Sequence, residues 1–174
     1  MPSSTFAIAA EQRYFEDYLV GSVFEFGEVL VGEDDLVEFA RRYDPQSFHT
    51  DREVAAHSIF GGLIASGWHT AALMMRMLVD HYLSKVASLA SPGIDELRWL
   101  VPVRPGDVLR VQVTVLEARR SRSHEDRGVV TSAIAVMNQH NVDGDDRQGR
   151  QPHDDACRPR IKTACGWAAR RRYL

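Results

Sequence analysis

Residues 59–83, "IFGGLIASGWHTAALMMRMLVDHYL", set the strongest limit on the fold. From Gly62 onward the stretch is apolar nearly all round, with few polar breaks. A surface helix shows a single apolar stripe, so this segment predicts a helix covered on most of its sides. His69 and Arg76 within it argue for a buried core helix and not a membrane span. The rest of the chain must supply the cover.

The flanking pattern supplies it. "SVFEFGEVLV" (22–31) has strand composition and alternates in its first half. In "DDLVEFARRY" (34–43) the period changes. Leu36, Val37, Phe39, Ala40 and Tyr43 fall on one helical face, with Asp34 or Asp35 at the start. Pro45 disfavours helix at Asp44 and ends it there. A short helix is expected at about 51–57. After Pro92-Gly93 the pattern turns strand-like in three stretches, 93–103, 107–120 and 128–139. In the second, Val111, Val113 and Val115 alternate with Gln112 and Thr114, the period of a half-buried strand. "RPGD" (104–107) is a turn by composition. The order of elements predicts an α+β fold, an antiparallel sheet wrapped around one long central helix.

Composition narrows the function. With 174 residues one domain is expected, and a formal net charge of -3 gives no reason to expect a nucleic-acid partner. The first ten residues lack the basic start and apolar run of a secretory signal. The two cysteines, Cys157 and Cys165, imply no disulfide framework, and a cytoplasmic location is expected. With His153 they match no standard zinc spacing. Residues 141–160, "NVDGDDRQGRQPHDDACRPR", have almost no large apolar side chains and predict a poorly ordered segment. Residues 161–174 are expected to form a short basic helix or to stay loose.

"YDPQSFHTD" (43–51) carries the candidate chemistry. A composition of 24 acids and seven histidines gives about one acid five places before a histidine by chance, so the Asp44–His49 spacing alone means nothing. Its context says more. The acid falls at a helix end enforced by proline, and the histidine follows in a short loop. Twelve residues later Gly61-Gly62 is expected to open the buried helix, whose first N–H groups are free. An acid, a base and an anion-stabilising helix end suit water chemistry beside a carbonyl. The bland alternative is a loop salt bridge, with the glycines serving close packing.

The segments "YDPQSFHTD", "FGGLIASGWHT" and "LRWLVPVRPGD", in this order, resemble the MaoC-like hydratases, including the (R)-specific enoyl-CoA hydratases. The resemblance covers roughly residues 14–140. It implies a hotdog domain over 1–140, followed by a divergent tail, 141–174, where relatives have one more apolar strand. A change of reading frame near residue 141, or real divergence, would produce such a tail. The resemblance further implies a dimer acting on acyl thioesters of coenzyme A. Asp44 and His49 match the motif's acid and histidine; Gln46 stands where asparagine is usual. The family's active-site serine maps onto Ser66. In some members a histidine precedes the glycine that opens the helix, and here Gly61 stands in that place.

The implied reaction is reversible addition of water to a trans-2-enoyl thioester, without a metal or other cofactor. His49 and Asp44 hold the water, and the N–H of Gly62 stabilises charge on the thioester oxygen. The helix C-terminus and partial burial are expected to raise the Asp44 pKa. Arg98, Arg104 and Arg110 are candidates for coenzyme A phosphates or solvated strand-edge arginines. His57 and His69 read as structural. Two other functions stay open: a hotdog thioesterase, disfavoured because residues 62–79 contain no acid, and a non-catalytic acyl-thioester-binding module.

Overall fold

The period-two stretches become the sheet. A computed structural model describes residues 6–140 and the backbone of the strand at 163–170. Strands β1 (Val23–Leu30), β2 (Gly93–Ile94), β3 (Val108–Arg120), β4 (Arg127–Met137) and β5 (Thr163–Arg170) form one antiparallel sheet in the order β1-β3-β4-β5-β2. Every second residue of β3 and β4 points to one face: Leu109, Val111, Val113 and Val115 are sealed from solvent, as are Val130, Ile134 and Val136. The register sets Val111 opposite Val136 and Val113 opposite Ile134. The apolar residues therefore line one continuous face.

Helices α1 (Glu33–Tyr43), α2 (Ser47–Thr50) and α3 (Arg52–Ala56) precede the central helix α4 (Gly67–His81). α4 lays Met74, Met77 and Leu78 on the buried sheet face. β1 bends to admit it. Gly27 has φ +82°, the ladder shifts between Phe26 and Val29, and a Cβ at Gly27 would strike the Met77 side chain. Only glycine takes both the positive φ and the close approach at no cost. Beyond the end of α4, the buried Tyr82 ring reaches Ser132 Oγ at 2.9 Å, and the Arg13 guanidinium donates to the Tyr82 carbonyl at 2.7 Å.

Four expectations change. α4 begins at Gly67, not at Gly61-Gly62: φ values of +62° and +153° at those glycines are incompatible with helix, and Ser66 supplies the N-cap by accepting from Trp68 N–H. The helix is not covered on most sides by its own chain, because Trp68, Ala72 and Val79 form an exposed stripe. Of residues 93–103 only Gly93–Ile94 join the sheet; at Pro102 no N–H exists to pair, and Trp99 and Leu100 lie half exposed. Residues 163–170 are strand, where a helix or loose chain was expected, and β5 occupies the edge of β4. The stretch 141–162, with the expected poorly ordered segment and His153 and Cys157, lies outside the described residues. Among the described residues no helix is long and apolar enough to cross a membrane.

Candidate active site

Pro45 ends α1 as its sequence demands, and the break aims Asp44 inward. Asp44 caps the helix with φ −151° and ψ 67°, its own N–H still bonded to the Ala40 carbonyl. The chain then turns through α2, which carries His49 to a buried position beside it. His49 Nε2 stands 3.4 Å from Asp44 Oδ2. The other ring nitrogen, Nδ1, is 2.8 Å from the Ile64 carbonyl oxygen. A carbonyl only accepts, so Nδ1 holds the proton, and in the neutral ring Nε2 presents its lone pair towards the carboxylate.

Ser66 closes the arrangement from the opposite side. Fully buried at the start of α4, it donates from Oγ to Asp44 Oδ2 at 2.6 Å and accepts from the Trp68 N–H at 3.3 Å. Gln46 Nε2 donates to Asp44 Oδ1 at 2.8 Å. Both carboxylate oxygens thus receive hydrogen bonds. The expectation of a raised Asp44 pKa is overturned. Donation from Ser66, then from Gln46, holds it below the ordinary carboxylate value against the opposing effect of desolvation. These bonds favour the ionised form and outweigh the cost of desolvation.

Asp44, Gln46 and His49 open into a cavity of about 470 Å³. Its walls are largely apolar: Phe48, Phe60, Ile64, Trp68, Trp99 and Val136 among others. The Phe48 ring lies 4.5 Å from the His49 ring and 5.2 Å from that of Phe60, so an aromatic wall holds the imidazole in place. An acid and an imidazole at the edge of an apolar cleft suit a ligand with an apolar body and one polar reacting end.

Asp44, Gln46, His49 and Ser66 therefore come together, and Gly61 and Gly62 do not join them. Gly62 sits in the loop before α4 against the Arg104 guanidinium, and Gly61 faces open space. The residue that does open the helix into the cavity is Gly67. Among the described residues no group accepts its N–H. The sequence carries its signal, since "SG" at 66–67 reads as an N-cap followed by the first helical position, although "GG" at 61–62 is the more conspicuous pair. Trp99, Phe48 and Phe60 were likewise missed, because wall residues carry no short-range signature.

The remaining candidates separate. Arg98 pairs with Glu96 and Arg110 with Glu25. Arg104 reaches the Phe60 carbonyl, bracing the cavity wall. His57 bonds the Glu53 carbonyl within its own helix. His69 is buried against Phe39, ring centroids 4.9 Å apart, and burial lowers its pKa.

Comparison with known proteins decides the family. A family profile described as a MaoC like domain matches residues 17–137. This chain belongs to the MaoC-like family. As a MaoC-like chain it is 30% identical to the Bacillus subtilis protein YdeM over 127 residues, spanning 73% of this chain and 89% of that one. A crystal structure of a MaoC-like dehydratase from Rhodospirillum rubrum is 36% identical, with a TM-score of 0.77, covering 93% of this chain and 99% of that one. The R-hydratase PhaJ1 from Pseudomonas aeruginosa, at 23% identity and a TM-score of 0.54 over 90% of this chain and 83% of its own, shares the fold. The sheet and central helix of this MaoC-like chain are those of the hotdog fold.

Proposed function

We propose that this protein is a hydratase/dehydratase that adds water reversibly to a trans-2-enoyl thioester of coenzyme A, giving the 3-hydroxyacyl thioester. The observation that carries the proposal is the pairing of Asp44 with a His49 whose tautomer is fixed by Ile64. Neutral His49 Nε2 and ionised Asp44 Oδ2 are both acceptors. At 3.4 Å they cannot satisfy one another, but a single water donates one hydrogen to each. That water is left with its lone pairs facing the cavity.

In the forward direction a water lone pair forms the bond to C3 of the enoyl group. One O–H bond breaks and its proton passes to the His49–Asp44 pair. An imidazole takes and returns a proton near neutral pH, and the carboxylate beside it stabilises the imidazolium. The electrons of the C2=C3 double bond move towards C2 and onto the thioester oxygen. The pair then returns a proton to C2, restoring the resting site. Dehydration is the reverse.

Charge on the thioester oxygen needs a donor. The Gly67 N–H fills this role, at the positive end of a 15-residue helix. Ser66 orients Asp44 and caps that same helix, so the acid–base pair and the charge-stabilising end share one support. No metal or further cofactor enters the scheme, because the thioester already activates C3.

We also propose that two copies associate. The exposed stripe of Trp68, Ala72 and Val79 on α4, continued by Trp99 and Leu100, leaves an apolar surface that a partner would cover.

The purified full chain with crotonyl-CoA tests the reaction. Loss of the enoyl absorbance without release of free thiol is the expected result. Thiol release instead would assign a thioesterase, and neither change, with the thioester still bound, would reduce the protein to a binding module.

A further inference from the structure

Trp99 has no part in the scheme above, yet it lies against the first residue of α4. The segment 95–102 leaves the sheet after Ile94, and this frees the Trp99 side chain to fold over Gly67. A Cβ on Gly67 would collide with three adjoining atoms of the indole, Cε2, Nε1 and Cδ2. The ring is also fixed from outside, by an edge-to-face contact with Trp68 at 5.7 Å and 73°. The indole nitrogen therefore lies against the residue whose N–H opens the helix.

The chemistry of that nitrogen is restrictive. An indole N–H donates and never accepts. Among the described residues no group accepts the proton of Trp99 Nε1, and none accepts that of the Gly67 N–H. Two unspent donors thus belong to touching residues on the wall of the cavity that holds Asp44 and His49. Residues 100–103, which continue this wall, are Leu, Val, Pro and Val. They carry no side-chain donor, so Trp99 brings the only one on this segment of the lining.

We propose that Trp99 is a catalytic residue whose Nε1–H, together with the Gly67 N–H, donates to the thioester oxygen as water adds at C3. The inference rests on the hydratase reading and assigns it a group at the reacting atoms. Negative charge appears on that oxygen only as the C3–O bond forms. A donor placed there stabilises the transition state more than the bound substrate and acts on kcat, leaving KM largely unaffected. The same contact explains the glycine: any larger residue at position 67 would push the indole off the helix start. No proton is transferred from Trp99 at any stage.

Trp99→Phe tests it, since phenylalanine keeps an aromatic cover and removes the donor. Crotonyl-CoA hydration by the unaltered protein is measured first. If the unaltered protein does not hydrate the substrate, the hydratase reading fails and this inference falls with it. If it does, Trp99→Phe is expected to lower kcat on the order of 100-fold, with KM and the affinity for butyryl-CoA held within about threefold. A kcat preserved within about twofold, or a change confined to KM, overturns the proposal and leaves Trp99 as wall. A second measurement needs no variant to be active. With ¹⁵N-labelled indoles in the unaltered protein, one indole N–H resonance should move downfield on addition of acetoacetyl-CoA, whose enolate oxygen mimics the developing charge. That resonance should be the one absent from Trp99→Phe, or the one left when Trp68 and Trp167 are assigned by replacement. If it stays in place while the ligand binds, the proposal is wrong.

Discussion

Ser66 Oγ donates to Asp44 Oδ2 at 2.6 Å across 22 residues of sequence, while the same oxygen accepts the Trp68 N–H at the start of α4. One hydroxyl ties the end of α1 to the beginning of α4. Ser66→Ala cuts both links. Losing the N-cap costs about 1 kcal/mol, read as a lower midpoint in urea. The second effect is on pH dependence. Asp44 titrates below its ordinary value of 3.8 in the folded protein, so its stabilisation is complete above that value and is lost as pH falls through the depressed one. With Ser66 gone the Asp44 pKa rises towards its ordinary value, and this acid-side loss becomes smaller. Unfolding curves between pH 2 and 5, on the order of the carboxylate range, should therefore show a flatter profile for the variant.

Asp44→Asn and His49→Gln address the chemistry. Each keeps the shape of the site and removes one acceptor for the attacking water. Loss of a positioned acid–base group costs about 10²- to 10⁴-fold in kcat, and the two losses together should be far from additive because the groups act on one water. His49→Gln also gives up the ring's bond to the Ile64 carbonyl, so a modest fall in stability accompanies it. Steady-state rates with crotonyl-CoA, together with thermal melts, separate the two effects.

What could be read from the sequence follows a physical division. Period-two alternation in β3 and β4 and the proline stop after α1 are local patterns, and the structure places both where the pattern does. Asp44 and His49 lie close in sequence, so a single turn suffices to bring them near. Gly67 and Trp99 meet through tertiary packing across 32 residues of separation, and no local rule encodes such a contact. The start of α4 differs from the expectation because glycine pairs and N-caps both mark helix beginnings, and only the backbone angles distinguish them. The direction of the Asp44 pKa differs from the expectation for a related reason. The helix end is visible in sequence, but the donors from Ser66 and Gln46 that hold the pKa down are not. β5 lay beyond the pattern because "TACGWAAR" has little alternation and takes its strand form from pairing with β4.

His69 makes stability depend on pH near neutrality. It is buried in α4 with Phe39 of α1 stacked against it, and desolvation holds its pKa below 6.5, opposed by the charge of Asp35. The sign follows from linkage. Above pH 6.5 the ring is neutral in both folded and unfolded chains and costs nothing. As pH falls below that value the unfolded chain takes up a proton that the folded one resists, so stability declines until the depressed folded pKa is reached. His69→Leu removes this contribution. Urea midpoints measured from about pH 7.5 to 5, spanning the ordinary histidine pKa, should slope downward for the parent and more weakly for the variant. Equal slopes would show that His69 is not the group responsible.

Gly67→Ala sets two effects of opposite sign against each other. In a helix, alanine is favoured over glycine by up to about 1 kcal/mol. Here the added methyl meets the Trp99 indole, and overpacking of this kind costs about 1–3 kcal/mol. The collision should win: either the protein loses stability or Trp99 swings away from α4, and turnover falls in both cases. The double variant Gly67→Ala, Trp99→Ala distinguishes packing from chemistry. With the indole gone the methyl has room, so the stability loss from Gly67→Ala should largely vanish in that background, a coupling that a thermodynamic cycle measures. Turnover should stay low, because the space is restored and the indole N–H is not. If activity returned along with stability, the close contact between Gly67 and Trp99 would matter only for packing.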